Sequence, residues 1–329
     1  MKVVFPHGGV SPTLDAAARY RAPGAFIDLL DGTVHYEIAG PLNGQPVALI
    51  HGFSVPDYIW DPTFAALADA GFRVLRYDLY GRGFSDRPET AYNPDLFDRQ
   101  LLQLLTALNF SLPADLIGVS MGGVIAARFT DRHPAETRRL CLIDPAGVAP
   151  RPSLASRLET LPVLGELHSH FFAEKILLSR LFYDFFRPDR VSPDYVDNFR
   201  EQMYYRGYKR ALLSTQRHGL LHGAAETYRR IGQQKRATLL IWGRQDQTIP
   251  FTDSLVLRKL IPDIEFHPID EAGHIPHYEC PERVHPILID FLTRISLKDC
   301  RTRPENAIQP PCGNRISTKP KSNLSRRFQ

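Results

Sequence analysis

The stretch Gly118-Val119-Ser120-Met121-Gly122 narrows what this chain can become more than any other feature. It follows the apolar run 115–119, which reads as a strand, and it precedes 121–133, which reads as a helix. A strand that becomes a helix within one residue forces that residue into strained backbone geometry, and side chains at 118 and 122 would collide there. Glycine on both sides is therefore a steric demand. The turn holds the Ser120 hydroxyl out and aims the N-terminus of the following helix at it.

The same rhythm runs along the chain. AFIDLL (25–30) and TVHYEIAG (33–40) alternate apolar and polar residues around Asp31-Gly32, a hairpin signal. PVALI (46–50), FRVLRYD (72–78), RRLCLID (138–144) and ATLLIWG (237–243) read as further strands, with a last one near 264–269. Helical patterns fall at 58–70, 95–108, 121–133, 252–260 and 281–295. Apolar strands alternating with helices specify an α/β fold, a mainly parallel central sheet with helices on both faces. Right-handed crossovers gather the carboxyl ends of the strands along one edge, where the active sites of such sheets form.

The alternation stops after Gly147 and resumes at 236. Residues 148–235, rich in aromatics and Arg, read as a helical lid inserted into a core of 25–147 and 236–295. Residues 1–24, rich in Pro, Gly and Ala, read as irregular. The tail 296–329 has few large apolar residues to offset the entropy of ordering and reads as a disordered basic segment.

A serine hydroxyl is a weak nucleophile until a base takes its proton and an acid orients that base. Ser120 therefore calls for a carboxylate and a histidine from later loops, in the order Ser, Asp or Glu, His. Asp246 follows the strand ATLLIWG in Gly243-Arg244-Gln245-Asp246, and His274 follows the last strand in Ala272-Gly273-His274-Ile275-Pro276. Asp144 also ends a strand, but that strand precedes the insertion and Pro145 follows directly, so Asp246 is the expected acid. The oxyanion formed on attack needs backbone donors. Met121 N–H, directly after the nucleophile, is one, and Phe53 N–H in His51-Gly52-Phe53 is the other. His277 is expected to be a loop residue and not a second base. His218 and His222 stand i, i+4, but Gly219 occupies the place of a zincin glutamate, so no metal site is expected.

Together with Tyr77-Asp78-Leu79-Tyr80-Gly81-Arg82-Gly83-Phe84-Ser85 after the fourth strand, these signals resemble the α/β-hydrolase superfamily over 25–147 and 236–295. Within it, the chain resembles the branch of lidded serine esterases, lipases and C–C-bond hydrolases. The resemblance implies Ser120 as nucleophile, Asp246 as acid, His274 as base, Phe53 and Met121 as oxyanion donors, and no cofactor. Asp78 and the loop after it match a structural turn of the family. Gly81-Arg82-Gly83 lacks the third glycine and the Lys-Ser/Thr of a phosphate cradle.

The activity implied is hydrolysis of carboxylic esters with short-to-medium acyl groups, through an acyl-enzyme. Alternatives on the same residues are a C–C hydrolase of dienoate ring-fission products, a lactonase, a perhydrolase, or a slowly hydrolysing small-molecule receptor. The C–C hydrolases resemble one another in carrying Asn before the nucleophile, where this chain has Val119. The lid aromatics Phe171, Phe172, Phe182, Tyr183, Phe185, Phe186, Tyr204 and Tyr205 are expected to form the lid's own core, some of them roofing an apolar acyl pocket.

Charge and cysteine usage narrow the field further. The net charge is +4, and the tail from Ser296 holds 8 of the 40 Lys+Arg but 2 of the 36 Asp+Glu. The folded part has no basic stripe, so nucleic acid is not an expected partner. Cys141, Cys280, Cys300 and Cys312 form no CxxC pair, which argues against a disulfide framework or a zinc site. No run approaches the ~20 apolar residues of a membrane helix, and the N-terminus lacks the apolar core of a signal peptide. The expectation is a soluble cytoplasmic enzyme for a small apolar substrate; oligomeric state has no signal here.

Overall fold

The computed structural model describes residues 12–149, 161 and 164–294. The tail expected to be disordered lies outside them, as do the side chains of Phe171 and Phe172. The strands are β1 (Ala25–Leu29), β2 (Gly32–Ala39), β3 (Pro46–Ile50), β4 (Arg73–Tyr77), β5 (Ala114–Val119), β6 (Thr137–Ile143), β7 (Thr238–Gly243) and β8 (Glu265–Ile269). They form one sheet in the order β1-β2-β4-β3-β5-β6-β7-β8. β1 and β2 pair as the expected hairpin, Leu29 opposite Gly32, and β2 runs antiparallel to β4. All other pairs are parallel. Every residue of β3, β5 and β7 is buried, which is why their sequences are nearly unbroken apolar runs.

The helices α2 (Asp61–Asp69), α3 (Pro94–Ala107), α4 (Met121–Arg132), α9 (Asp253–Leu260) and α11 (Pro281–Thr293) carry the crossovers or flank the sheet. Between β6 and β7 come α5 (Leu164–Tyr183), α6 (Pro193–Tyr204), α7 (Tyr208–Arg217) and α8 (Ala225–Gln233). α8 packs against α4, and the Tyr228 hydroxyl donates to Ala146 O at 2.7 Å. The end of the stretch read as lid is thus a crossover helix of the sheet. The chain leaves β3 for β4 on one side and returns to β5 on the other. The order reverses between β3 and β5, so their carboxyl ends open a crevice.

Four sequence expectations need correction. Residues 1–24 are not irregular throughout, because Ala16–Tyr20 forms a one-turn helix, α1, whose N-cap Asp15 accepts the Ala18 N–H at 2.8 Å. The helix expected at 58–70 is split into a 3-10 turn, Asp57–Trp60, and α2, with Pro62 in its first turn. His277 is not a loop residue: it lies in the short helix α10 (Pro276–Glu279), buried against the Trp60 ring at 4.3 Å. Among the described lid aromatics, Phe185 and Tyr205 are buried, whereas Phe182 and Tyr183 face solvent.

Gly122 shows how tightly the β5–α4 turn is packed: a Cβ there would lie 2.0 Å from Ile50 O and 2.5 Å from His51 O. Both obstacles are backbone, at the end of β3 and the start of the loop after it, and cannot rotate away. Gly122→Ala is therefore expected to cost about 3 kcal/mol or to prevent folding; a melting temperature within about 2 °C of the parent would show that the turn tolerates a side chain.

Candidate active site

Ser120 stands alone between β5 and α4 at φ 55°, ψ −121°, a backbone conformation that L-residues rarely adopt. Its N–H donates to Ile143 O, and its carbonyl accepts from Gly123 and Ala146 N–H, all at 3.0 Å. The loop after β3 closes on it from the other side, where a Cβ on Gly52 would meet Ser120 Cβ at 3.3 Å. Neither the Phe53 nor the Met121 N–H donates to any described residue. For Met121 this follows from its place at the start of α4, where the first N–H groups have no partner within the helix.

The loop carrying Phe53 is held by buried polar groups. His51 Nε2 accepts the Leu79 N–H at 2.9 Å, so its proton resides on Nδ1, 2.9 Å from Gly52 O. Burial pushes this imidazole down to about 4, and it stays neutral at ordinary pH. Arg82 is wholly buried. It donates from Nε to Phe53 O (2.9 Å), from Nη1 to Tyr80 O (3.1 Å) and from Nη2 to Thr215 Oγ1 on α7 (2.9 Å). Burial lowers its pKa to about 10, still far above neutrality. Gln202 and Tyr208, from the inserted helices, both donate to Ser54 O.

Asp246 and His274 meet as the sequence order predicts: Asp246 Oδ2 lies 2.8 Å from His274 Nδ1. Asp246 Oδ1 accepts the Thr248 and Ile249 N–H groups at 2.7 and 2.9 Å. Burial alone would lower the His274 pKa, but the charge and hydrogen bond of Asp246, with the charge of Asp184, outweigh it and raise the pKa above its ordinary value. Ser120 and His274 face a common cavity of about 280 Å³. Phe53, Val119, Leu177, Ile249 and Ile275 give it apolar walls, and Arg180, Asp184 and His222 are among its polar ones. None of the described lid aromatics lines it. His218 Nδ1 is instead engaged by Ser214 O at 2.7 Å, and among the described residues His218 and His222 belong to no cluster of metal-ligating atoms.

Asp184 and Glu279 escaped the sequence reading, and Asp144 was weighed there only as a rival acid. Asp144 directly follows β6 at φ 41°, buried beside Asp246. Asp184, at the end of α5, accepts the His274 N–H at 2.7 Å through its carbonyl and the Thr248 hydroxyl at 2.6 Å through its carboxylate. Glu279 binds both sides of the His274 loop: its carboxylate accepts from Gly273 N–H (2.8 Å), Phe186 N–H (3.1 Å) and Arg187 N–H (2.6 Å). It thereby ties the end of the inserted helix α5 to the strand-end loop that carries His274.

Residues 47–287 match the model of the Alpha/beta hydrolase family. The 2-hydroxymuconate semialdehyde hydrolase of Pseudomonas sp. (strain CF600) is 32% identical over 259 residues, covering 76% of this chain and 87% of that protein. Lipase 3 of Moraxella sp. (strain TA144) is 27% identical, covering 72% and 74%. Among solved structures, the meta-cleavage product hydrolase from Pseudomonas fluorescens IP01 superposes with a TM-score of 0.68 at 26% identity, covering 82% of this chain and 97% of that one. No helix among the described residues is long and apolar enough to cross a membrane.

Glu279→Ala is expected to destabilise the fold by about 3 kcal/mol in denaturant unfolding, because it strands the buried Gly273 N–H and removes the partner of the half-buried Phe186 and Arg187 N–H groups. Unfolding that matches the parent would mean the two segments are held by other contacts.

Proposed function

This chain belongs to the alpha/beta hydrolase family, and we propose that it is a serine-dependent hydrolase that cleaves a C–C bond beside a carbonyl in an anionic, conjugated oxo-acid. The similarity to the 2-hydroxymuconate semialdehyde hydrolase, over 87% of that protein, carries this reading. The apolar cavity with Arg180 on its wall supports it, since a guanidinium suits a substrate carboxylate.

In this reading Ser120 Oγ attacks the carbonyl carbon while His274 takes its proton. Asp246 holds the imidazole tautomer and stabilises the imidazolium. The oxyanion sits between the Phe53 and Met121 N–H groups, which have no other described partner. With the substrate in its keto tautomer, its enol proton having moved to the carbon beside that carbonyl, the C–C bond breaks, its electron pair delocalises over the leaving fragment as a dienolate, and His274 returns the proton to that dienolate. Water, activated by the same imidazole, attacks the acyl-Ser120 carbonyl and releases the second product as a carboxylic acid.

Hydrolysis of carboxylic esters is the second reading. The similarity to Lipase 3 and Val119 in the place of an asparagine favour it. The two separate on substrate. A 2-hydroxy-6-oxo-dienoate is expected to exceed p-nitrophenyl acetate through octanoate in kcat/KM by about a hundredfold; ester turnover without dienoate turnover would hand the function to the second reading. Ser120→Ala should abolish turnover of either. Arg180→Gln should raise KM for the dienoate about tenfold with kcat little changed, and an unchanged KM would remove Arg180 from substrate binding.

The pH profile follows from His274. The base works only when neutral, and its pKa is raised by Asp246 and Asp184. Activity should therefore fall with decreasing pH through a limb above the ordinary imidazole value of about 6.5. A rate that stays level down to pH 5, about where an imidazole is fully protonated, would exclude His274 as the base.

A further inference from the structure

Asp144 directly follows β6, next to the proposed acid, yet no step above uses it. It is fully buried, and its backbone is held at φ 41° by a hydrogen bond from its own N–H to Ile241 O at 3.0 Å. Oδ1 accepts the Gly243 N–H at 2.9 Å. Oδ2 is buried with no hydrogen-bond partner among the described residues. One oxygen of Asp144, one of Asp246 and a ring nitrogen of His274 all lie within 4.8 Å of one another. Two ionised carboxylates so close, and both buried, repel strongly, and one of them takes up a proton.

The distribution of donors decides which. Asp246 has three, the Thr248 and Ile249 N–H groups and His274 Nδ1, and it is the better stabilised anion. Asp144 has one. We propose that Asp144 is a positioning residue, a neutral carboxylic acid that directs its single proton from Oδ2 onto the Asp246 carboxylate and so holds the acid that orients His274. Burial and the Asp246 charge, which push the Asp144 carboxyl well above the usual range, agree with this assignment. The strained backbone at 144 aims the carboxyl across to β7, as strain at functional sites often does. The proposal rests on the reading of Ser120, Asp246 and His274 as a hydrolytic triad.

The test is the rate at which a fluorophosphonate labels the full-length protein as a function of pH, which reports Ser120 and its base whatever the natural substrate. The other ionisable groups around the pair stay constant across the variants: Asp184 and Arg180 at the end of α5, Asp253 on α9, His277 on α10 and, behind it, His285 on α11. In Asp144→Asn the amide oxygen still accepts from Gly243 and the NH₂ still donates to Asp246, so labelling should stay within about threefold and the acid limb should not move. Asp144→Ala removes the donor. Asp246 then carries more negative charge toward the imidazole, and the limb should rise by about half a pH unit with labelling down about tenfold.

A limb that falls in Asp144→Asn is the signature of a lost negative charge and would overturn the proposal. So would an Asp144→Ala protein labelled like the parent, or labelled more slowly with its limb unmoved. If Asp144→Ala does not fold, judged by circular dichroism, the direction of the limb in Asp144→Asn decides alone. Labelling that persists in Ser120→Ala would overturn the triad reading and this proposal with it, and that control separates the two failures.

Discussion

The backbone of Ser120 is the constraint on which the rest of the site depends. A residue at φ 55° costs about 1–3 kcal/mol and persists only where its surroundings leave no alternative. Here they come from three strands. Gly118 and Gly122 let β5 and α4 meet: a Cβ on Gly118 would lie 2.3 Å from Gly122 O. β6 pins the Ser120 N–H through Ile143 O, and the chain just beyond it donates Ala146 N–H to the Ser120 carbonyl. The β3 loop lies against the Ser120 side chain. β3, β5 and β6 are almost entirely buried, so the strain is set against much of the molecule's hydrophobic core.

A second network fixes the loop that faces Ser120. Asp78 accepts from Asp57 N–H (3.0 Å), Phe84 N–H (2.8 Å) and His35 Nδ1 (2.8 Å), all buried or nearly so. Burial would lower the His35 pKa, but the hydrogen bond and charge of Asp78, with the charge of Asp57, raise it to about 9. His35 is thus a buried cation, and its bond and charge hold Asp78 below the ordinary carboxylate range against the opposing effect of burial. From this anchor the chain runs through Leu79, whose N–H fixes the His51 tautomer, to Arg82, which binds the Phe53 carbonyl. A buried network with its members paired specifies one arrangement of the loop. The Phe53 carbonyl is therefore held from 29 positions away, and the Ser54 carbonyl beside it from 148 and 154.

What the sequence made legible, and what it hid, follows from the range of the interactions. β3, β5 and β7 are buried on both faces, and an unbroken apolar run announces that without reference to any neighbour. The β5–α4 turn is local at Gly118, which answers a clash with Gly122 O, whereas Gly122 answers the backbone of Ile50 and His51 on a neighbouring strand and its loop. Asp246 and His274 were reachable because strand order restricts where they must lie, and the structure sets them 2.8 Å apart. Asp144, Arg82 and Glu279 had no such signal. Asp144 meets Gly243 across 99 positions, Arg82 meets Thr215 across 133, and Glu279 meets Phe186 across 93. Each of these side chains is ordinary until the fold delivers its partners. α1 was hidden differently: five residues flanked by Pro and Gly show no period, and only the Asp15 cap marks its start.

The division of labour around the cavity explains why substrate choice is harder to read than reaction type. The sheet supplies Ser120, His274 and the walls Val119 and Ile275, whereas the helices between β6 and β7 supply Arg180, Asp184 and His222. Val119, the last residue of β5, offers no hydrogen bond where an amide side chain would. Most of the polar wall thus comes from the segment between β6 and β7, which is held to the strand-end loops through Glu279, Arg82 and Gln202. Chemistry lodged in the strand ends is constrained by the fold's backbone geometry and recurs across it. Recognition lodged in an insertion answers only to packing, and the same core supports many substrates for that reason.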